Sequence, residues 1–307
     1  MPPRSPLPSR HGLSAAWLRT PDRDRPRPEP WPTMGAWLDH RLGDRVDVAQ
    51  MLADERFVYD DLACVRDDDA YAPHTFVWFH RDLREEVVVP GELRVVHRDK
   101  RLVVVDKPAF LSTIPRGQHV MQSVVVRLRD ELGLPEVSPL HRLDRVTSGL
   151  LLLATEKRWR GAYQVMFERG TVRKTYRALA PWRSDLATPV TVRNHVRKDR
   201  GVWRAEVVPD APVNAETLVE LESRAGDLAI YRLTPRTGRT HQLRLHLHGL
   251  GAPIVGDPLY PVVRETSVDD FTTPLQLLAS ELAFTDPIDG TARHYESARR
   301  LPLAAES

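Results

Sequence analysis

Asp144 is the residue whose surroundings first suggest chemistry. It stands in the stretch HRLDRVTSGLLLL, His141 to Leu153, with His141, Arg142 and Arg145 within three positions and an apolar run behind it. Nearby positive charge favours an ionised carboxylate. Where a loop meets a buried strand, such a carboxylate can act as nucleophile or base. The same residues on an open surface would be ion pairs worth little, so the motif gains its weight from what lies further along the chain.

Residues 231–250 hold Arg232, Arg236, Arg239 and Arg244 with His241, His246 and His248, and no acid. Helical spacing puts His241, Arg244 and His248 on one polar face, opposite Leu243, Leu247 and Leu250. A metal site built from the histidines is disfavoured, because no carboxylate or thiolate accompanies them and the arginines repel a cation. A phosphate cradle is a second reading, with Thr237 and Gly238 at a helix start whose N–H groups face an anion. A solvated basic face is the third. Tyr176 falls in an alternating strand, where a core role is the default and stacking on a nucleobase the alternative. Lys107 precedes Pro108 at the end of an apolar strand and reads as a turn residue or a cleft cation. The motifs G-x-S-x-G, H-E-x-x-H and G-x-G-x-x-G are absent. What remains is a cofactor-free enzyme with one active carboxylate, or a binding protein.

These residues need elements to hold them. LRVVHRDKRLVVVDKPAF reads as a hairpin with strands at Leu93–Val96 and Leu102–Val105. Val120, Val124, Leu128 and Leu132 mark one face of a helix that Gly133 ends. Ala162, Val165 and Met166 mark another before Gly170. TVRKTYRAL alternates as a strand. Hairpins follow at KDRG and RAGD, then a helix over RTHQLRLHLHGLG, then strand, turn, strand over LQLLASELAFTDPIDGTARHY. Strands joined mostly by hairpins, with a few helices, give an α+β domain on a largely antiparallel or mixed sheet.

Upstream the text changes. Residues 1–35 are rich in Pro and Arg, with six Arg against three acids, and read as an extended N-terminal arm. Residues 36–88 hold six Arg against thirteen acids and read as a small module of helical and short-strand pieces; 89–307, with 32 bases and 26 acids, form the main domain. A polyanion prefers the C-terminal part. The single Cys64 excludes an internal disulfide and suits a reducing compartment. With no membrane span and no secretory leader, a cytoplasmic monomer is expected.

HRLDRVTSGLLLLA resembles the signature motif of the RluA-type RNA pseudouridine synthases. VVHRDKRLVVVDKPAFL is similar to the family's opening hairpin, YQVMFERGTVRKTYRAL to its middle motif, and LTPRTGRTHQLRLHLHGLGAPIVGDPLY to its third. The resemblance implies a mixed β-sheet with flanking helices and a central basic cleft. It implies detachment of a uridine base, its rotation and its rejoining through C5, with no cofactor and no metal. Asp144 matches the catalytic aspartate, Tyr176 the aromatic that packs on the base, and Arg244 the arginine that pairs with the aspartate. Arg142 matches a residue that holds the flipped-out RNA. His141, Arg145, Arg239, His241 and Lys107 are expected to bind RNA beside it. Ribosomal or transfer RNA is the implied partner. Residues 36–88 are similar to an S4-like module, though their excess of acid argues against phosphate binding. A catalytically silent RNA-binding protein and a base hydrolase are the competing readings.

Overall fold

The computed structural model describes residues 4–21, 31–117 and 119–302. The chain forms two compact units, Met1–Arg84 and Glu85–Ser307. The first has strand β1 (Ala16–Arg19), helices α1 (Met34–Leu42) and α2 (Val48–Ala53), and strand β2 (Phe76–Phe79). Thr33 and Asp47 cap the two helices, each accepting an N–H three residues on. Met34, Trp37, Leu38, Met51 and Phe57 form this unit's core. β1 pairs antiparallel with β2, Ala16 opposite Phe79. Part of the segment expected to be an arm is therefore built into the first unit. A four-residue strand whose partner lies some sixty positions away gives no local signal. The densest Pro/Arg run, residues 22–30, lies outside the described residues.

The second unit is built on one large sheet. Its elements are β3 (Arg94–Arg98), β4 (Leu102–Lys107), α3 (Val124–Glu131), β5 (Ser138–Pro139), β6 (Ser148–Ala154), α4 (Lys157–Glu168), β7 (Arg173–Pro181), β8 (Val190–Asn194), β9 (Val196–Arg197), β10 (Glu206–Val207), β11 (Ala215–Ala225), β12 (Leu228–Pro235), α5 (Gln242–Gly249), β13 (Leu277–Thr285) and β14 (Ala292–Glu296). The main strand order is β3-β4-β6-β13-β7-β12-β11-β8, with β5 beside β6 and β14 beside β13. Most neighbours are antiparallel; β6 and β13 run parallel. The mixed α+β sheet agrees with the sequence reading. β4 and most of β6 are buried on both faces, which is why LVVVDK and GLLLLA show no alternation. No helix among the described residues is long and apolar enough to cross a membrane.

Two details aim the Asp144 loop. β6 meets β13 at Ser148 and Gly149, where Gly149 has φ +109° and a Cβ would lie 2.3 Å from the Ala279 carbonyl oxygen. Only glycine allows this approach. Further along the same edge of β6, opposite β4, β5 pairs for two residues and the backbone then turns away. The His141 side chain continues the ladder, its Nε2 accepting the Leu152 N–H at 3.1 Å while the ring stacks on Phe167.

The helix expected to include Val120 begins at Val124. Before it, the Glu86 carboxylate accepts the N–H groups of Val120, Met121 and Gln122 and holds them in a turn. Gly133, at φ +62°, stands just past the last turn.

An acceptor Nε2 requires a neutral ring, and burial pushes the His141 pKa down to about 3, helped by the charge of Lys174. Between the ordinary value of 6.5 and about 3, the unfolded chain holds a proton here that the folded chain does not. Stability from this group is full above that window and falls as the pH drops through it, by up to about 1.4 kcal/mol per pH unit for one proton. Urea unfolding at stepped pH should show this slope. His141→Gln, which keeps an acceptor, should flatten it by up to one proton; identical slopes would contradict the assignment.

Candidate active site

Asp144 follows Leu143, whose backbone is tied to the Thr113 hydroxyl, and its own carbonyl accepts the Thr147 N–H at 3.1 Å. The carboxylate, with a side chain 33% exposed, stands at the mouth of β6. Its basic neighbours come from α5 and the residue just before it, not from its own motif. Arg244 Nη1 lies 3.5 Å from Asp144 Oδ2, and His241 Nε2 lies 3.9 Å from the same oxygen.

Arg244 is not on a solvated face. It is only 2% exposed and is gripped by Asp257, Nε to Oδ2 at 2.8 Å and Nη2 to Oδ1 at 2.5 Å. Asp257 Oδ1 also accepts the N–H groups of Leu259 and Tyr260. Burial opposes the charge on Arg244, but Asp257 and Asp144 outweigh it, and the guanidinium is held above its ordinary pKa. With Nε and Nη2 committed to Asp257, Nη1 is the nitrogen directed at Asp144. The sequence reading gave Asp257 no role. A signal was present: it is the first acid after the acid-free run from Leu228 to Gly256.

His241 sits just before α5 with φ +58°. The Tyr260 hydroxyl donates its one proton to the Ala205 carbonyl at 2.7 Å. It therefore accepts from His241 Nδ1 at 3.0 Å, which leaves Nε2 bare towards Asp144. Burial and Arg244 push the His241 pKa down to about 4 against the pull of Asp144. At neutral pH His241 is thus not a phosphate-binding cation. Nor do Thr237 and Gly238 open the helix. The Thr237 hydroxyl donates to Gln242 Oε1, which also accepts the Arg239 N–H, and α5 starts only at Gln242.

Tyr176 on β7 packs against both core clusters that flank the cleft, as does Val146 just after Asp144. Burial, then the charge of Asp144, raise its pKa above the ordinary phenol value. The ring presents a protonated phenol and an aromatic wall rather than a phenolate base.

Several expected RNA ligands are placed otherwise. Lys107 is fully buried, donating Nζ to the carbonyls of Pro108, Leu111 and Arg145 at 2.7–3.1 Å. Burial pushes its pKa down to about 7 while Asp144 pulls it up. It laces the opening turn to the Asp144 loop and cannot reach RNA. His141 is neutral and occupied in the β6 ladder, as described above. Arg145 turns away from Asp144, lying over the Phe110 ring with Nη1 3.5 Å from the Phe110 and Val268 carbonyl oxygens. Arg142 is exposed, and Arg239 is exposed with Nε donating to the Asn214 carbonyl at 3.1 Å. The motif's crowd of bases around one acid is a feature of the sequence alone; in space the partners of Asp144 come from a hundred residues downstream. Among the described residues, no group of three or more His, Cys, Asp and Glu side chains is arranged to hold a metal ion.

Comparison with known proteins supplies the class. Residues 101–249 match the family model described as RNA pseudouridylate synthase. The chain is 30% identical over 216 residues to the dual-specificity RNA pseudouridine synthase RluA of Yersinia pestis, covering 66% of this chain and 97% of that protein. The RluA of Vibrio parahaemolyticus is 33% identical over 211 residues, 63% of this chain and 78% of its own length. Among solved structures, human RNA pseudouridylate synthase domain containing 1 superposes with a TM-score of 0.52 at 26% identity, covering 68% of this chain and 86% of that one. With one such relative covered over 97% of its length, the chain belongs to the RluA-type RNA pseudouridine synthases and is an isomerase that acts on RNA.

Proposed function

We propose that the Asp144 cleft isomerises one specific uridine of a structured RNA, ribosomal or transfer, after that nucleotide has been turned out of its helix. The observation that carries the reading is the chain of contacts Asp144–Arg244–Asp257 beside Tyr176. A carboxylate held at the end of a loop, with an aromatic wall next to it, suits a single extruded base better than a stacked pair. The N1–C1′ bond breaks, the base turns, and a C5–C1′ bond forms; C5 loses a proton and N1 gains one. The reaction is balanced without a redox partner, a metal or a group donor, and the enzyme is read as a metal-independent monomer. Asp144 supplies the nucleophile or base. Arg244 fixes its direction and stabilises its charge. Tyr176 packs on the uracil, and the bare Nε2 of His241 is a proton acceptor beside it. Exposed Arg142 and Arg239 remain as phosphate contacts. Residues 36–88, read as a small S4-like module, carry too much acid for a main part in holding RNA.

Asp144→Asn should abolish pseudouridine formation on total RNA from cells lacking the gene while changing RNA affinity only a few fold, because Asn keeps the shape and loses the charge. Appreciable turnover by this variant would sink the assignment.

Arg244 and Asp257 can be separated as fold and function. Arg244→Met leaves Asp257 buried without its cation, which should cost about 3–5 kcal/mol of stability. Turnover should fall roughly a hundredfold or more at saturating enzyme. Arg244→Met combined with Asp257→Leu should regain most of the stability and none of the turnover. If the double variant is active, Arg244 serves the fold alone; if only affinity falls, Arg244 is a phosphate clamp.

Exhaustive EDTA treatment should leave turnover intact on RNA folded in monovalent salt. Lost activity that one particular divalent ion restores would contradict the metal-independent reading.

A further inference from the structure

Trp203 is 83% exposed, more than any other large apolar side chain among the described residues. An indole left in water forgoes the burial that makes tryptophan valuable in a core. The other tryptophans are better covered, from Trp37 at 1% and Trp78 at 2% to Trp17 at 44% exposed. Val202, next to Trp203, is 51% exposed. Both lie in the loop between β9 and β10, which pair as a hairpin, Arg197 opposite Glu206.

The hairpin is fastened to the active site. The Ala205 N–H and carbonyl both bond the Tyr260 hydroxyl, at 2.9 and 2.7 Å. That hydroxyl accepts from His241, whose Nε2 faces Asp144. Arg204 lies over the Tyr260 ring at 4.8 Å on the hairpin side, and Arg244 at 5.3 Å on the catalytic side. Val196, Ala205, Leu245 and Tyr260 share one small core. Trp203 is two residues from Ala205, at most about 7 Å of chain. The loop is therefore anchored at its base to the catalytic centre, while its aromatic tip has no apolar cover.

The charge around the tip selects among partners. The acids Asp199 and Glu206 both bind Arg197, at 3.5 and 2.6 Å. Lys198, Arg200 and Arg204 are left to give the tip its sign. Lys198 is near enough to His241 to lower its pKa. An apolar protein partner would have to bury these cations; a nucleic acid would pair them with phosphates and offer a base to the indole.

We propose that Trp203 is a stacking platform for an unpaired base of the substrate RNA that flanks the target uridine, with Lys198, Arg200 and Arg204 on the phosphates beside it. The proposal rests on the reading of the Asp144 cleft as the uridine site and adds a second point of grip. It implies a substrate with at least one unpaired neighbour close to the modified position, as in a loop or a bulge, rather than an uninterrupted duplex.

The test compares full-length wild type, Trp203→Ala and Trp203→Phe on bulk transfer RNA and bulk ribosomal RNA from cells lacking the gene. Pseudouridine formation is followed under multiple turnover and at saturating enzyme. Iodide quenching of tryptophan emission is measured with and without the same RNA. Trp203→Ala should raise KM about tenfold, the scale of one stacked base, with the loss falling on KM rather than on the rate at saturating enzyme. Phe should restore most of the affinity. RNA should shield from iodide a component of emission that the Phe variant lacks. Unchanged KM in the Ala variant with no shielding, while wild type turns over, overturns the stacking role and leaves the cleft reading intact. A tip that instead drives self-association, abolished by Ala without effect on KM, is a protein interface and also overturns it. Should wild type form no pseudouridine on either RNA, the cleft reading fails on its own; shielding then supports the platform, and its absence refutes it.

Discussion

The catalytic unit is organised around one buried guanidinium. Arg244 is held in the interior by two hydrogen bonds to Asp257, and the same group presents its remaining nitrogen to Asp144. A buried ion pair is a weak source of stability, since the cost of removing both charges from water offsets much of their attraction. Its value lies in direction. The planar fork of an arginine, fixed on one side by a carboxylate, leaves a donor on the other side with little freedom. Asp257 is itself fixed by the Leu259 and Tyr260 N–H groups, so the aim of Arg244 traces back to backbone.

The carboxylate that this guanidinium meets is fixed by different means. Gly149 lets β6 approach β13 closely, His141 completes the β6 ladder with a side chain, and Lys107 ties three carbonyls of the surrounding turns together. Each of these is a polar or strained feature in a place where an apolar residue would pack more simply. Together they fix the loop that carries Asp144; on the proposed function its position must be accurate, because near-attack geometry is sensitive to displacements of about an ångström. The bases of the HRLD motif thus serve the loop's architecture more than its charge, with Arg142 left at the surface.

Tyr260 joins the Asp144 site to the β9–β10 hairpin. Its ring lies against Arg244, and its hydroxyl is shared between His241 and the Ala205 backbone. One side chain therefore couples the acid–guanidinium pair to the β9–β10 hairpin. RNA gripped by the hairpin would be held in register with the reacting centre through a rigid aromatic, not through a flexible loop.

Much of the fold was legible in the sequence. The hairpin of β3 and β4, helix α4, strand β7, the turns at KDRG and RAGD, helix α5 and the β13–β14 pair follow from periodicity and turn residues, which are local properties. Asp144, Tyr176 and Arg244 were singled out by residue type, spacing and family resemblance, and these three come together in space. Tertiary structure alone decided which charges meet. Linear proximity put His141, Arg142 and Arg145 around Asp144, yet residues 141–147 form an irregular loop with no repeating face, and their side chains go to different environments. Burial then settled their states: His141 and His241 are neutral, Lys107 is locked on carbonyls, and Arg244 is in the core rather than in solvent. The β1–β2 pairing and the start of α3 were likewise invisible, because each depends on a partner some thirty to sixty residues away. A sequence states which groups are available; only packing decides which are dry, which are paired and which are left to face a substrate.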